Sequence, residues 1–154
     1  MGNQEWEERQ LVVGTAMTWL RTPYHLDAQI KGVGVDCGTL LTAVFAEAGL
    51  IEAVNLGHHK PDFHLHKGIE VYQQWLEKYC SKSPGPPQPG DIITYRFGRL
   101  QAAHAVLVIN WPQVIHAQTG VGVVLTDITT DSIADRQTAV WSFWRNHDKF
   151  RPTV

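Results

Sequence analysis

The sequence is short of cysteine, short of charge and without a long apolar run, and each shortage closes off a class of protein. Two cysteines in 154 residues make no disulfide framework. They fit a reducing compartment, or a thiol kept for its chemistry. Charged residues are 18%, and 13 basic against 15 acidic side chains give a net charge of -2. That balance offers no electrostatic footprint for nucleic acid or for an anionic membrane surface. Residues 3–9 are acidic rather than basic, so no signal peptide is expected. The one long uncharged stretch, Leu100 to Thr126, is broken by His104, Asn110, Pro112 and His116. It alternates in short runs and reads as consecutive strands, with no membrane insertion. No P-loop, dinucleotide fingerprint or nucleic-acid motif is present.

What is there suffices for a core. Hydrophobic residues make 44% of the chain, which excludes a disordered segment. The length fits one domain spanning 1–154. Asn3 is a candidate cap for a first helix, with Glu5, Glu7 and Glu8 at its favourable end. Val12, Ala16, Trp19 and Leu20 follow at helical spacing, and Thr22-Pro23 should end it. Asp36 is a good N-cap for a second helix. Leu40, Leu41, Val44, Phe45 and Ala48 form its apolar stripe, and Gly49 its natural stop. Ile69, Tyr72, Leu76 and Tyr79 suggest a third helix. Pro84, Pro86, Pro87 and Pro89 then require a loop. After it the period falls to two, with candidate strands at Asp91–Phe97, Ala103–Asn110, Val114–Thr119, Val121–Thr126 and Ala139–Trp144. Helices first and strands later indicate an α+β domain with a roughly five-stranded antiparallel sheet.

The second helix would begin at Cys37. A helix N-terminus favours a thiolate through its partial positive charge, and its free N–H groups can bind an oxyanion. A thiol nucleophile also needs a base, and the base an orienting group. His104 and His116 lie on adjacent predicted strands, separated by the turn Asn110-Trp111-Pro112. A three-residue turn sets Val106 opposite His116 and brings the two imidazoles onto one face, diagonal to each other. A four-residue turn would part them to opposite faces. Cys80, at the end of the third helix, has no such company.

These residues carry a resemblance. Thr22-Pro23-Tyr24, Gly34-Val35-Asp36-Cys37-Gly38 and Leu40-Leu41 resemble the nucleophile segment of the NlpC/P60 family of papain-like cell-wall cysteine peptidases. Gln88-Pro89-Gly90-Asp91-Ile92-Ile93 resembles that family's approach to its first strand. His104-Ala105-Val106-Leu107-Val108-Ile109 and Val114-Ile115-His116-Ala117 resemble its base strand and third-residue strand. The resemblance implies a papain-like fold with N-terminal helices packed on the sheet. It implies Cys37 as nucleophile, His104 as base and His116 as orienting residue. Tyr24 matches the family's tyrosine that lines the site beside the oxyanion. Asp36 matches an Asp that helps hold the free amino end of a stem peptide. The implied substrate is an amide bond in the stem or cross-bridge of bacterial peptidoglycan, cut without a cofactor. Gly38 stands where the family usually has Ser, and His25-Leu26-Asp27-Ala28 replaces its paired glycines.

Among family members the chain is most similar to the subgroup carried by tailed phages and phage-like particles. This implies synthesis in the bacterial cytoplasm, assembly into a tail and tail-tip or hub proteins as partners. Two rival readings keep the fold: a structural tail-tip or assembly protein, and a thiol amidase or acyltransferase. His58, His59, His64 and His66, with Asp62, could in principle ligate zinc. Adjacent histidines point apart and no second cluster supports them, so no metal is expected. Trp141 and Phe143 should share one strand face, with Trp144 on the other, as an interface anchor or a cover for the first helix.

Overall fold

The computed structural model describes residues 2–52 and 73–145. Helix α1 (Asn3–Met17) takes Gly2 as its N-cap, without a side-chain cap bond, so Asn3 lies inside the helix rather than before it. Arg9, Val12 and Ala16 form its buried stripe. The helix stops before the expected Thr22-Pro23 boundary, where the Thr18, Trp19 and Leu20 N–H groups bond three residues back in tightened turns. Arg21 adopts a left-handed φ of 71°. Its N–H bonds to the Val123 carbonyl at 3.0 Å, and the Val123 N–H returns to Thr22 O at 2.9 Å. The partner strand comes from the far end of the chain, which no local signal announces.

A small antiparallel hairpin follows, β1 (Gln29–Ile30) with β2 (Gly34–Val35). It leads directly into α2 (Cys37–Glu47). The expected cap is present. Asp36 Oδ1 accepts from Thr39 N–H at 2.8 Å, while Thr39 Oγ1 accepts from Asp36 N–H at 2.8 Å. This reciprocal arrangement satisfies two otherwise orphaned donors and fixes where the helix begins, hence where Cys37 stands. Gly49, at φ 79°, ends it as anticipated. Residues 73–79 are helical, matching part of the expected third helix. Ile69 and Tyr72 lie outside the described residues.

The remaining strands are β3 (Ser81–Lys82), β4 (Ile92–Phe97), β5 (Leu100–Asn110), β6 (Gln113–Gln118), β7 (Gly122–Asp127) and β8 (Gln137–Ser142). They form one sheet in the order β3-β8-β4-β5-β6-β7, antiparallel at every junction. The five expected strands are β4 to β8. The sixth, β3, is only two residues long and carries no alternation to read.

Alternation sorts the sheet into two faces. Ile92, Ala105, Leu107, Ile115, Ala117 and Val123 join Val12, Leu41, Val44 and Phe45 in the main core, under the helices. Ile93, Tyr95, Val106, Val108, Val114 and Val140 form a smaller core on the other face, closed by Ile128 and Ile133 from the turns before β8. Trp144 corrects an expectation. It joins Phe45 and Phe143 in the main core rather than facing away. Strand β8 ends at Ser142, so strict alternation no longer governs the residues after it. Trp144 covers α1, one of the two roles expected of it, with the Arg9 guanidinium 4.2 Å from its ring centroid.

At the outer edge of the sheet, Gly122 sits at φ 106°, and a Cβ there would lie 2.7 Å from Thr22 O. Only a residue without a side chain lets β7 approach the segment that carries Tyr24.

Candidate active site

Cys37, at the first position of α2, is half-buried. Its sulfur meets three backbone N–H groups, those of Ala105, Gly38 and Cys37 itself. The contact with Ala105 shows how a helix on one face reaches histidines on the other. Val108 gives both its N–H and its C=O to the Gly90–Asp91 side of β5. Along a strand these directions alternate, so Ala105 presents its N–H towards β6. The β5–β6 ladder runs from Asn110↔Gln113 to Leu107↔Ile115. Beyond it, the Cys37 sulfur takes the Ala105 N–H. That N–H belongs to the residue next along the chain from His104, which links the end of α2 to the histidine strand.

The two histidines meet as the three-residue-turn alternative requires, by a slightly different route. The turn proper is Trp111-Pro112, and Asn110 pairs with Gln113. A register shift between Val108 and Asn110 absorbs one residue and restores Val108↔Val114 and Leu107↔Ile115. The same register carries Val106 opposite His116. His104 Nε2 then lies 2.8 Å from His116 Nδ1. The ring centroids are 5.1 Å apart and the planes cross at 70°. His116 is 1% exposed, and its second nitrogen, Nε2, lies 3.1 Å from Thr126 Oγ1 on β7.

Burial sets the protonation of all these groups. It pushes the Cys37 thiol up to about 12, helped by the adjacent Asp36 carboxylate and opposed by the three N–H groups. It pulls the His104 imidazole down to about 4, with His116 adding to the effect and the Asp131 carboxylate opposing it. Burial also lowers His116, again against Asp131. At neutral pH the resting site is therefore a thiol beside two neutral imidazoles, with one N–H on each ring.

Tyr24 borders this group. Its backbone bridges to Val35, just before the nucleophile helix. Burial, then the Cys37 and Asp36 charges, push its phenol up to about 12, while a hydrogen bond with the Thr119 hydroxyl works the other way. Tyr24 is thus an un-ionised O–H within electrostatic reach of Cys37. Asp36 is 8% exposed, and both its oxygens have internal donors. Oδ1 takes the cap bond from Thr39, and Oδ2 accepts from Asp27 N–H at 2.7 Å.

All five residues singled out in the sequence thus lie in or beside one site. Thr126, Thr119 and Asp131 complete its surroundings and were not anticipated. Thr126 could have been found from strand register: His116 pairs with Val124, so Thr126, two residues on, shares its face. Thr119 and Asp131 lie just after a strand and in a turn, where no period applies. Cys80 is 2% exposed, and burial followed by the Asp91 charge raises its thiol. The histidine-rich stretch from His58 to His66, with Asp62, lies outside the described residues. Among the described residues no three His, Cys, Asp or Glu side chains gather as a metal site. Nor, among them, is any helix long and apolar enough to cross a membrane.

A model of the NlpC/P60 family matches residues 21–142. None of the curated proteins matches the chain. Several solved structures share the fold. The NlpC/p60 domain of the peptidoglycan hydrolase SagA is 18% identical with a TM-score of 0.59, over 87% of this chain and 97% of that one. The peptidoglycan hydrolase RipB from Mycobacterium tuberculosis is 20% identical with a TM-score of 0.55, over 93% of this chain and 68% of its own. An NlpC/P60 family protein from Bacillus cereus is 15% identical with a TM-score of 0.63 over 88% of this chain. The chain spans only 40% of that protein and 45% of NlpC1 from Trichomonas vaginalis.

Proposed function

The chain belongs to the NlpC/P60 family, and from that premise we propose that it is a cysteine peptidase hydrolysing an amide bond in the stem or cross-bridge of bacterial peptidoglycan. The observation that carries the reading is one juxtaposition. The Cys37 sulfur lies on the Ala105 N–H, and the adjacent residue, His104, is hydrogen-bonded to His116 at 2.8 Å. A nucleophile, a neutral base and a group that orients the base are what acyl transfer by a thiol requires.

The sequence of events follows from the protonation states. His104 commits Nε2 to His116, which leaves Nδ1 to receive the thiol proton as sulfur attacks the carbonyl. Proton transfer coupled to attack suits a site in which neither partner is charged at rest. The Cys37 and Gly38 N–H groups at the helix end, with the Tyr24 hydroxyl, are the donors available to the developing oxyanion. The imidazolium returns its proton to the leaving amine, and water then releases the acyl group by the same route in reverse. Asp36 anchors the helix that carries the sulfur; its charge also favours a substrate with a free amino group nearby.

Digestion of purified muropeptides with mass analysis, wild type against Cys37→Ala, tests the reading. A new amine and carboxyl pair made by the wild type alone supports hydrolysis. An acyl group moved to another amine would show a transferase instead. No product with any muropeptide would leave a binding or assembly role. The setting we propose, wall cutting during penetration by a phage-type tail, rests on the sequence resemblance alone. Detection of the chain in purified tail particles by mass spectrometry would support it, and its absence there would count against it.

A further inference from the structure

We propose that Thr126 is a positioning residue that sets the tautomers of the His116–His104 pair, so that His104 keeps a bare Nδ1 to accept the Cys37 proton. The proposal rests on the peptidase reading, which selects between the two hydrogen-bond patterns that the geometry allows. Three groups form a continuous hydrogen-bonded line: His104 Nε2 to His116 Nδ1 at 2.8 Å, and His116 Nε2 to Thr126 Oγ1 at 3.1 Å. Two neutral imidazoles and a hydroxyl can fill this line in only two ways. In one, Thr126 accepts from His116 Nε2–H, His116 Nδ1 accepts from His104 Nε2–H, and His104 Nδ1 is bare. In the other, every bond is reversed and His104 Nδ1 already holds a hydrogen. Only the first leaves His104 a bare ring nitrogen that can act as base.

The first is also the only one compatible with the charged state that follows. When the S–H bond breaks and the proton joins His104 Nδ1, the imidazolium must donate from Nε2. His116 must then accept at Nδ1 and place its own hydrogen on Nε2, where Thr126 Oγ1 receives it. At 1% exposure His116 has little water to stand in for that acceptor. An unanswered buried N–H is costly, so loss of the hydroxyl favours the reversed line. Val123, Val124 and Leu125, the strand residues before Thr126, are all apolar, which leaves the hydroxyl as the polar group β7 directs at His116.

Thr126→Val keeps the shape and removes the acceptor. Long-range proton–nitrogen NMR of the histidines should show the hydrogen on Nε2 of both rings in the wild type and on Nδ1 of both in the variant. Turnover of a muropeptide should fall about 10²-fold in kcat, the lower end for disabling an acid–base group, with KM little changed. Thr126→Ser should restore both the Nε2 signature and kcat. Should Thr126→Val fail to fold, Thr126→Ala is read the same way. Unchanged Nε2–H tautomers in the hydroxyl-free variant overturn the proposal, as does a kcat equal to wild type. If the wild type cleaves no muropeptide, the peptidase reading fails, while the tautomer spectra still decide the role of Thr126.

Discussion

Arg9 and Asp91 form a buried ion pair, Nη1 to Oδ1 at 2.8 Å, that ties the first helix to the head of the central sheet. The same nitrogen reaches Pro89 O at 2.8 Å, and Asp91 Oδ2 accepts from Gln88 N–H at 2.9 Å. The pair thereby closes the proline-rich loop as well. Breaking the pair leaves the buried Arg9 with only the partly exposed Glu5 carboxylate, 2.9 Å away, to offset its charge. We expect Asp91→Ala to cost about 3–5 kcal/mol in chemical denaturation, the range for such a broken pair. Turnover below the melting transition should persist, because Asp91 precedes Ile92 at one end of β4 while His104 pairs with Tyr95 further along. A loss under about 1 kcal/mol would show that the pair adds little beyond ordinary surface bridges.

A limiting amount of iodoacetamide near neutral pH should label Cys37 before Cys80. Cys80 is 2% exposed and its thiol is raised by burial, whereas Cys37 is half-buried, with N–H groups ready for the developing thiolate. Since burial holds Cys37 as a thiol, its reaction needs a proton acceptor. His104→Ala should therefore slow Cys37 labelling by about tenfold or more. Peptide mapping that finds Cys80 labelled first would contradict the assignment.

The acid side of the pH profile should lie low. His104 acts as base only when neutral, and its pKa of about 4 keeps it neutral well below the ordinary imidazole range. The acid limb of kcat/KM should thus fall nearer pH 4 than 6.5. Asp131→Asn removes a charge that favours the imidazolium, so the limb should move further towards acid. Stability follows the same sign. The unfolded imidazole gains its proton near 6.5, the folded one only at about 4. The contribution is complete above 6.5 and is lost as the pH falls towards 4. Thermal melts across that window should fall less steeply for His104→Gln than for wild type.

The two histidines should respond unequally to substitution. His104 transfers the proton, so His104→Ala should lose roughly 10²–10⁴ in kcat. His116 orients and stabilises, and an amide oxygen can accept the same N–H. His116→Gln should keep measurable turnover and His116→Ala less. If His104→Ala stays active while His116→Ala is inactive, the roles are reversed.

Local rules carried the reading where the structure is local. Asp36, the apolar stripe from Leu40 to Ala48 and Gly49 specify α2 by capping and period, and therefore place Cys37. Period two marks β4 to β8, and the register that joins His104 to His116 follows from the turn between them. What stayed hidden depends on distant partners. The segment after α1, at Arg21 and Thr22, is held by Val123, more than a hundred residues away in the chain. Strands of two residues, such as β1, β2 and β3, are too short to show alternation. Trp144 escaped because β8 stops at Ser142. A threonine in a strand, such as Thr126, has no motif of its own and is recognisable only through its neighbour across the ladder.

The clamp between residues 21–22 and β7 also bears on what the sheet rim can offer a second chain. An open sheet invites a second chain to add a strand wherever unpaired N–H and C=O groups line its rim. On β7 the outward peptide groups at Val123 are both taken by Arg21 and Thr22. Among the described residues, alternation leaves Leu125 and Asp127 facing out, and the Asp127 carbonyl already accepts from the Thr130 hydroxyl. The opposite rim is β3, two residues long and bearing Lys82. Among the described residues, neither rim offers a length of free backbone on which a second chain could add a strand. Gly122, by admitting Thr22 to the strand, shields this rim as much as it positions Tyr24.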